Sequence, residues 1–259
     1  MTKKRKKVVE EKVKKRKRAR VLAMLFHFIM GLVIVGLAAF LIIVFFFHVE
    51  DVKFKGNTVL SNGELADYLF DDKYSENAVY CLGKNLVLPR KDIPFVESVS
   101  MKLKDRNTLV VTVKEKEFLG RVLDADGNWI YFDDSTVIGE VSTVSLDGLL
   151  EVTMEDVDFS KLSAGEKLPL KSKRKKELLN LIFELKEEDI SVSAIHFYAD
   201  GSITMDYNGI LINFGTSSNL DAKVIRLKYI LPQVADQAGT LHLEDWSEGN
   251  RDIVFEKAS

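Results

Sequence analysis

Cys81 is the only cysteine in the 259 residues, and a thiol with a histidine and an arginine beside it can act as a nucleophile. A membrane-anchored sortase would carry that cysteine in a Thr-Leu-x-Thr-Cys strand. Here it stands in Val79-Tyr80-Cys81-Leu82-Gly83, which reads as a loop, so the expected role is packing. The histidines offer it no partner: His27 lies in an apolar run, His48 at the edge of that run, and His196 and His242 are scattered. The sequence contains no His-Glu-x-x-His, no cysteine pair, no phosphate-binding glycine loop and no Ser-Lys pair in a recognisable strand. Its many acids read as surface solvation. No catalytic, cofactor-binding or metal-ligating residue is therefore assigned, and no cofactor is expected.

The elements that would have to position any chemistry begin with Val21–Phe47, a run without a charge. As a helix it spans ~40 Å, against ~30 Å for the hydrocarbon core of a bilayer. It reads as a membrane span, and eight large apolar residues after Ala38-Ala39 argue for an uncleaved signal-anchor. The flank before it, residues 1–20, carries twelve Lys or Arg and only Glu10 and Glu11. Such a tail is expected to be disordered and to stay on the cytoplasmic side, with the remainder outside. The other 25 bases and 37 acids leave that remainder near −12, although the whole chain is near −2. An acidic exterior is a poor surface for nucleic acid or acidic wall polymers. A lone cysteine forms no internal disulfide, so packing alone must hold the outer part.

Residues 48–118 read as one small domain. Val52 and Phe54 alternate with lysines in a strand that ends at Gly56-Asn57. Ser61-Asn62-Gly63-Glu64 has capping-box spacing ahead of Leu65, Tyr68 and Leu69. A loop through Gly83-Lys84-Asn85-Leu86 leads to Pro89 and Pro94, which leave room for at most one short helical turn. Val99, Met101 and Leu103, then Leu109, Val111 and Val113, alternate on two strands joined at Asp105-Arg106-Asn107. The order is β-α-(short helix)-β-β.

Gly56-Asn57, Ser61–Glu64, Asn85-Leu86, Pro94–Val99 and Thr108–Glu115 occur in the order and spacing of a POTRA domain. Placed after a signal-anchor with a basic tail, the chain resembles the FtsQ/DivIB family of bacterial cell-division proteins. It departs from the family's usual pattern at Arg106 and Phe118, where a proline is common, and in the shortness of its second helix.

Residues 119–259 read as a β domain. Asp126-Gly127 joins Leu119–Val122 to Trp129–Phe132, and Leu146–Val152 forms a further strand. Leu178, Leu181, Ile182 and Leu185 mark a helix over Lys171–Glu188, whose first turn holds the one basic cluster of the exterior, 171–176. Strands follow at Val192–Tyr198, Ser202–Tyr207 and Ile210–Phe214, then a helix over Leu220–Leu231 stopped by Pro232. Thr240–Leu243 and Asp252–Glu256 close the chain. This order also resembles the β domain of FtsQ/DivIB, with His242 where an aspartate is often found.

The expected fold class is therefore α+β: a single transmembrane helix, a POTRA-like domain and a mixed β-sheet domain with helices. The resemblance implies a non-catalytic scaffold of the division septum, a single-pass protein of the plasma membrane. Its implied partners are small single-span proteins of the FtsL and DivIC/FtsB type and the septal peptidoglycan synthases. It also implies a binding edge at Asp252, Ile253, Val254, Phe255 and Glu256, to which a partner adds a strand. A membrane-anchored wall hydrolase or transpeptidase with an unrecognised site is the alternative. A POTRA-bearing barrel protein is disfavoured, because no run of amphipathic barrel strands follows.

Overall fold

The computed structural model describes residues 3–87, 92–247, 249–250 and 252–258, and it divides into two compact units, Met1–Lys114 and Glu115–Ser259. The first unit opens with α1 (Lys3–Phe46), in which Arg20–Phe46 is long and apolar enough to cross a membrane. A core helix of a soluble domain would bury an apolar stripe. Here the most apolar stretch buries nothing against protein. The expected disordered tail is instead continuous with this helix from Lys3. No glycine or proline interrupts residues 3–20, and Lys, Arg, Glu and Ala extend a helix that the apolar run has already nucleated.

The rest of the first unit is β1 (Asp51–Lys55), α2 (Asn62–Leu69), α3 (Ala78–Val87), β2 (Val96–Leu103) and β3 (Thr108–Glu115). They form a three-stranded sheet in the order β1-β3-β2, with β1 parallel to β3 and Phe54 opposite Val111. Leu65, Val99, Val111 and Val113 make its core. The capping box at α2 forms: Ser61 Oγ accepts the Glu64 amide at 3.3 Å, and Glu64 accepts the Ser61 amide at 2.9 Å. The loop expected around Gly83 is a correction. Residues Gly83-Lys84-Asn85-Leu86 belong to the ten-residue α3, and Cys81 is helical. Asn77 starts that helix by accepting the amides of Val79 and Tyr80 at 3.1 and 3.0 Å, and Ala78 and Cys81 pack on Leu109. One glycine costs about 1 kcal/mol in a helix, which such capping and burial offset. Pro89 lies outside the described residues.

The second unit contains β4 (Gly120–Leu123), β5 (Trp129–Phe132), β6 (Ile138–Ser142), β7 (Glu151–Met154), α4 (Ser172–Glu187), β8 (Ala194–Phe197), β9 (Ile203–Tyr207), β10 (Ile210–Gly215), α5 (Leu220–Val234), β11 (Gly239–His242) and β12 (Val254–Lys257). They make one mixed sheet, ordered β12-β11-β10-β9-β8-β7-β4-β5-β6. Strands β7 and β8 are parallel and joined through α4; β10 and β11 are parallel and joined through α5. Leu178, Leu181, Val224 and Leu227 from the helices share one core with Val152, Ile195, Met205, Ile212 and Leu241 from the sheet.

Three expectations shift here. Strand β6 has no clear signal in the sequence, its apolar alternation being short. The strand expected over Leu146–Val152 starts at Glu151, because Gly148 at φ 74° makes a turn of its first half. Pro232 lies inside α5, which runs on to Val234. The proline forfeits one hydrogen bond, to the Lys228 carbonyl, and the helix ends two residues later; in the same turn the Gln233 side chain donates to Tyr229 O at 2.8 Å.

Candidate functional site

The closing strand takes its place on the sheet because a glycine lets it. A Cβ at Gly239 on β11 would lie 2.2 Å from Glu256 O of β12, closer than any side chain allows. With that space left free, β12 pairs antiparallel to β11, with Glu256 opposite Thr240 and Val254 opposite His242. Only Val254, Phe255 and Glu256 of the five expected edge residues are in the strand. Asp252 and Ile253 precede it, so the strand starts two residues late and runs to Lys257. The side chains alternate as the period of two requires: Ile253 and Phe255 pack on the core, whereas Val254 is 58 % exposed.

Among the described residues β12 has one neighbouring strand, so its far side is an unpaired edge. The Ala258 amide donates inward to Ala238 O at 2.9 Å. Antiparallel alternation then turns the Val254 and Glu256 amides inward and those of Phe255 and Lys257 outward. Beside the strand, Tyr229, Ile230, Trp246 and Ile253 line part of an open groove of about 680 Å³. Trp246 is buried, and the Arg226 guanidinium lies 5.8 Å from its ring centre.

One histidine ties the strand down. His242 Nδ1 is 2.8 Å from Glu244 Oε1, and its Nε2 is 3.6 Å from Glu256 Oε2 on β12. The hydrogen bond to Glu244, then the Glu256 carboxylate, holds its pKa above the usual imidazole value despite some desolvation. The scattered appearance of the histidines in sequence conceals that His196 and His242 both stand on the polar face of one sheet. His196 faces Asp206 at 3.4 Å, three strands away from His242. Three spacings of ~4.8 Å put ~14 Å between them, too far to act on one atom.

Cys81 is buried in α3, its Sγ 3.2 Å from Ser75 O, and burial pushes the thiol pKa up to about 11. It is held protonated at neutral pH, the opposite of an activated nucleophile. No group of three or more His, Cys, Asp or Glu suited to a metal ion occurs among the described residues. The basic cluster at 171–176 is divided by the fold. Arg174 turns inward, 3.1 Å from Glu177, 3.3 Å from Asp156 and donating to Tyr198 O at 3.2 Å, while Lys173 stays exposed. No protein-family model matches the chain, and no curated protein matches it significantly.

Proposed function

We propose that this protein is a membrane-anchored, non-catalytic scaffold of the bacterial division septum, of the FtsQ/DivIB kind. The observation that carries the reading is the bare β12 edge, presented by a domain on a chain that begins with a membrane-length helix. An unpaired edge binds a partner's strand through backbone hydrogen bonds and selects it through the side chains that alternate along it. The β-α-α-β-β order and the β1-β3-β2 sheet of the first unit support the POTRA part of the resemblance. The twelve tail bases support an N-inside topology, with both folded units outside at the septum. The partners would be single-span coiled-coil proteins of the FtsL and DivIC/FtsB type, with the septal peptidoglycan synthases recruited through them.

Two measurements test this. A C-terminal alkaline phosphatase fusion is expected to be active, and a reporter confined to the cytoplasm dark; the reverse pattern would overturn the topology. Co-purification from detergent-solubilised membranes is expected to bring down small single-span septal proteins, and to lose them when the chain stops after Asn250. Recovery of only unrelated membrane proteins would overturn the septal assignment.

A further inference from the structure

The end of the apolar helix is built into the first unit. The last four carbonyls of a helix have no partner within it. One of them, Ile43 O, accepts the Asn77 side-chain amide at 2.8 Å. The same side chain caps α3 through Val79 and Tyr80, so a single residue joins the end of one helix to the start of another. Around it, Ala78 N–H donates to Phe47 O at 2.9 Å, Val49 N–H to Glu76 O at 2.7 Å, and Asn107 to His48 O at 2.9 Å. From Arg20 to Phe46 every residue but Ile43 is exposed, so this contact is local to the final turn. No free linker separates helix from domain.

The depth of that contact follows from length. If Arg20 marks one surface, the ~30 Å hydrocarbon core is crossed in ~20 residues, near Phe40. The final turn and the loop that grips Ile43 then lie in the headgroup layer. That loop, Asp72–Asn77, carries the residues suited to it. Tyr74 is 56 % exposed and packs against Tyr80 with ring centres 5.5 Å apart, and Lys73 Nζ sits 4.9 Å from the Tyr74 ring centre. Tyrosine and lysine place an apolar body toward the acyl boundary and a polar tip in water. Asp72 holds the loop rigid by accepting from Tyr80 Oη at 2.9 Å, Tyr74 N–H at 2.9 Å and Lys84 Nζ at 2.7 Å.

We propose that the Asp72–Asn77 loop is seated in the lipid headgroup layer on the domain side of the membrane, with Tyr74 as its anchor and Asn77 as the strut that holds it there. The occupant of this surface is the bilayer that α1 itself crosses, so the inference rests on the membrane reading above. The first unit is thereby fixed at the bilayer surface instead of swinging on a tether.

The test uses the full chain carrying Cys81→Ala and Lys73→Cys, labelled with bimane at residue 73. It is reconstituted into nanodiscs of phosphatidylcholine and phosphatidylglycerol, with or without headgroup-nitroxide lipid. Co-elution with the disc is read first, and its failure overturns the span and the docking together. With co-elution, the nitroxide lipid is expected to quench the label at least threefold. Adding Tyr74→Ser, or Asn77→Asp, which keeps the acceptor for α3 but loses the donor to Ile43 O, is expected to halve that quenching or more. Quenching no greater than that of glutathione–bimane in buffer overturns the docking alone. Quenching that neither variant reduces overturns the roles given to Tyr74 and Asn77.

Discussion

The two edges of the nine-stranded sheet are treated in opposite ways. At β6 the outer side is met at the start of the strand by residues 165–168, which lie between β7 and α4: Ile138 N–H donates to Glu166 O at 2.7 Å, Gly165 N–H to Ile138 O at 2.7 Å, and Leu168 N–H to Thr136 O at 2.9 Å. Lys116 adds a cover over Gly139 O at 2.9 Å and pairs with Glu140 at 2.8 Å. At β12 the strand is short and its outward amides meet no strand among the described residues. Bare edges invite uncontrolled pairing, and folds normally blunt them. The open edge is the one to which the proposed function assigns the partner strand.

The largest effect is expected from removing β12. Ending the chain after Asn250 is expected to abolish capture of the coiled-coil partner while circular dichroism of the sheet domain is nearly unchanged. A folded truncation that still captures it would move the site off β12. Gly239→Ala should come close to the same loss, more than tenfold, because the added Cβ collides with the backbone of β12. Gly139→Ala at the other edge has the Phe118 ring as its nearest neighbour, at 2.8 Å, and a shift of that side chain should leave capture intact. Equal losses from the two glycines would erase the distinction between the edges.

Proline sharpens the geometry. At Lys257 it removes one outward amide and is expected to weaken capture about fivefold, since a hydrogen bond contributes ~1 kcal/mol net. At Val254 it removes an inward amide and would loosen β12 from β11, so that position is the less informative one. Capture unaffected by Lys257→Pro would rule out strand addition at this edge.

The smallest effect is that of pH. Because the His242 pKa is raised on folding, its stabilisation is complete below about 6.5 and fades as pH climbs through the folded value. Hydrogen exchange at the Glu256 amide, corrected for intrinsic rate, should therefore speed up a few-fold toward alkaline pH. The Ile138 amide should not change in this way, because β6 contains no histidine. His242→Asn should flatten the profile at β12, and an unchanged profile would show that the histidine does not pin the strand.

Features that depend on near neighbours in the chain were legible before the fold was known. An uninterrupted apolar run forced α1, Ser61 and Glu64 formed their capping box, and Asp126-Gly127 turned the expected hairpin. Period-two alternation also put Ile253 and Phe255 on one face and Val254 on the other, though not which face is inward or the residue at which the strand begins. What tertiary structure decided depends on distant partners. Helix α3 persists through Gly83 because Leu109 covers Ala78 and Cys81, and β6 exists because Tyr131 and Glu166 pair with it from either side. The joining of α1 to Asn77, 34 residues beyond Ile43, has no local signature. Nor does the contrast between the edges: a strand's own residues fix which way its side chains point, but only the rest of the fold decides whether anything lies beside its backbone.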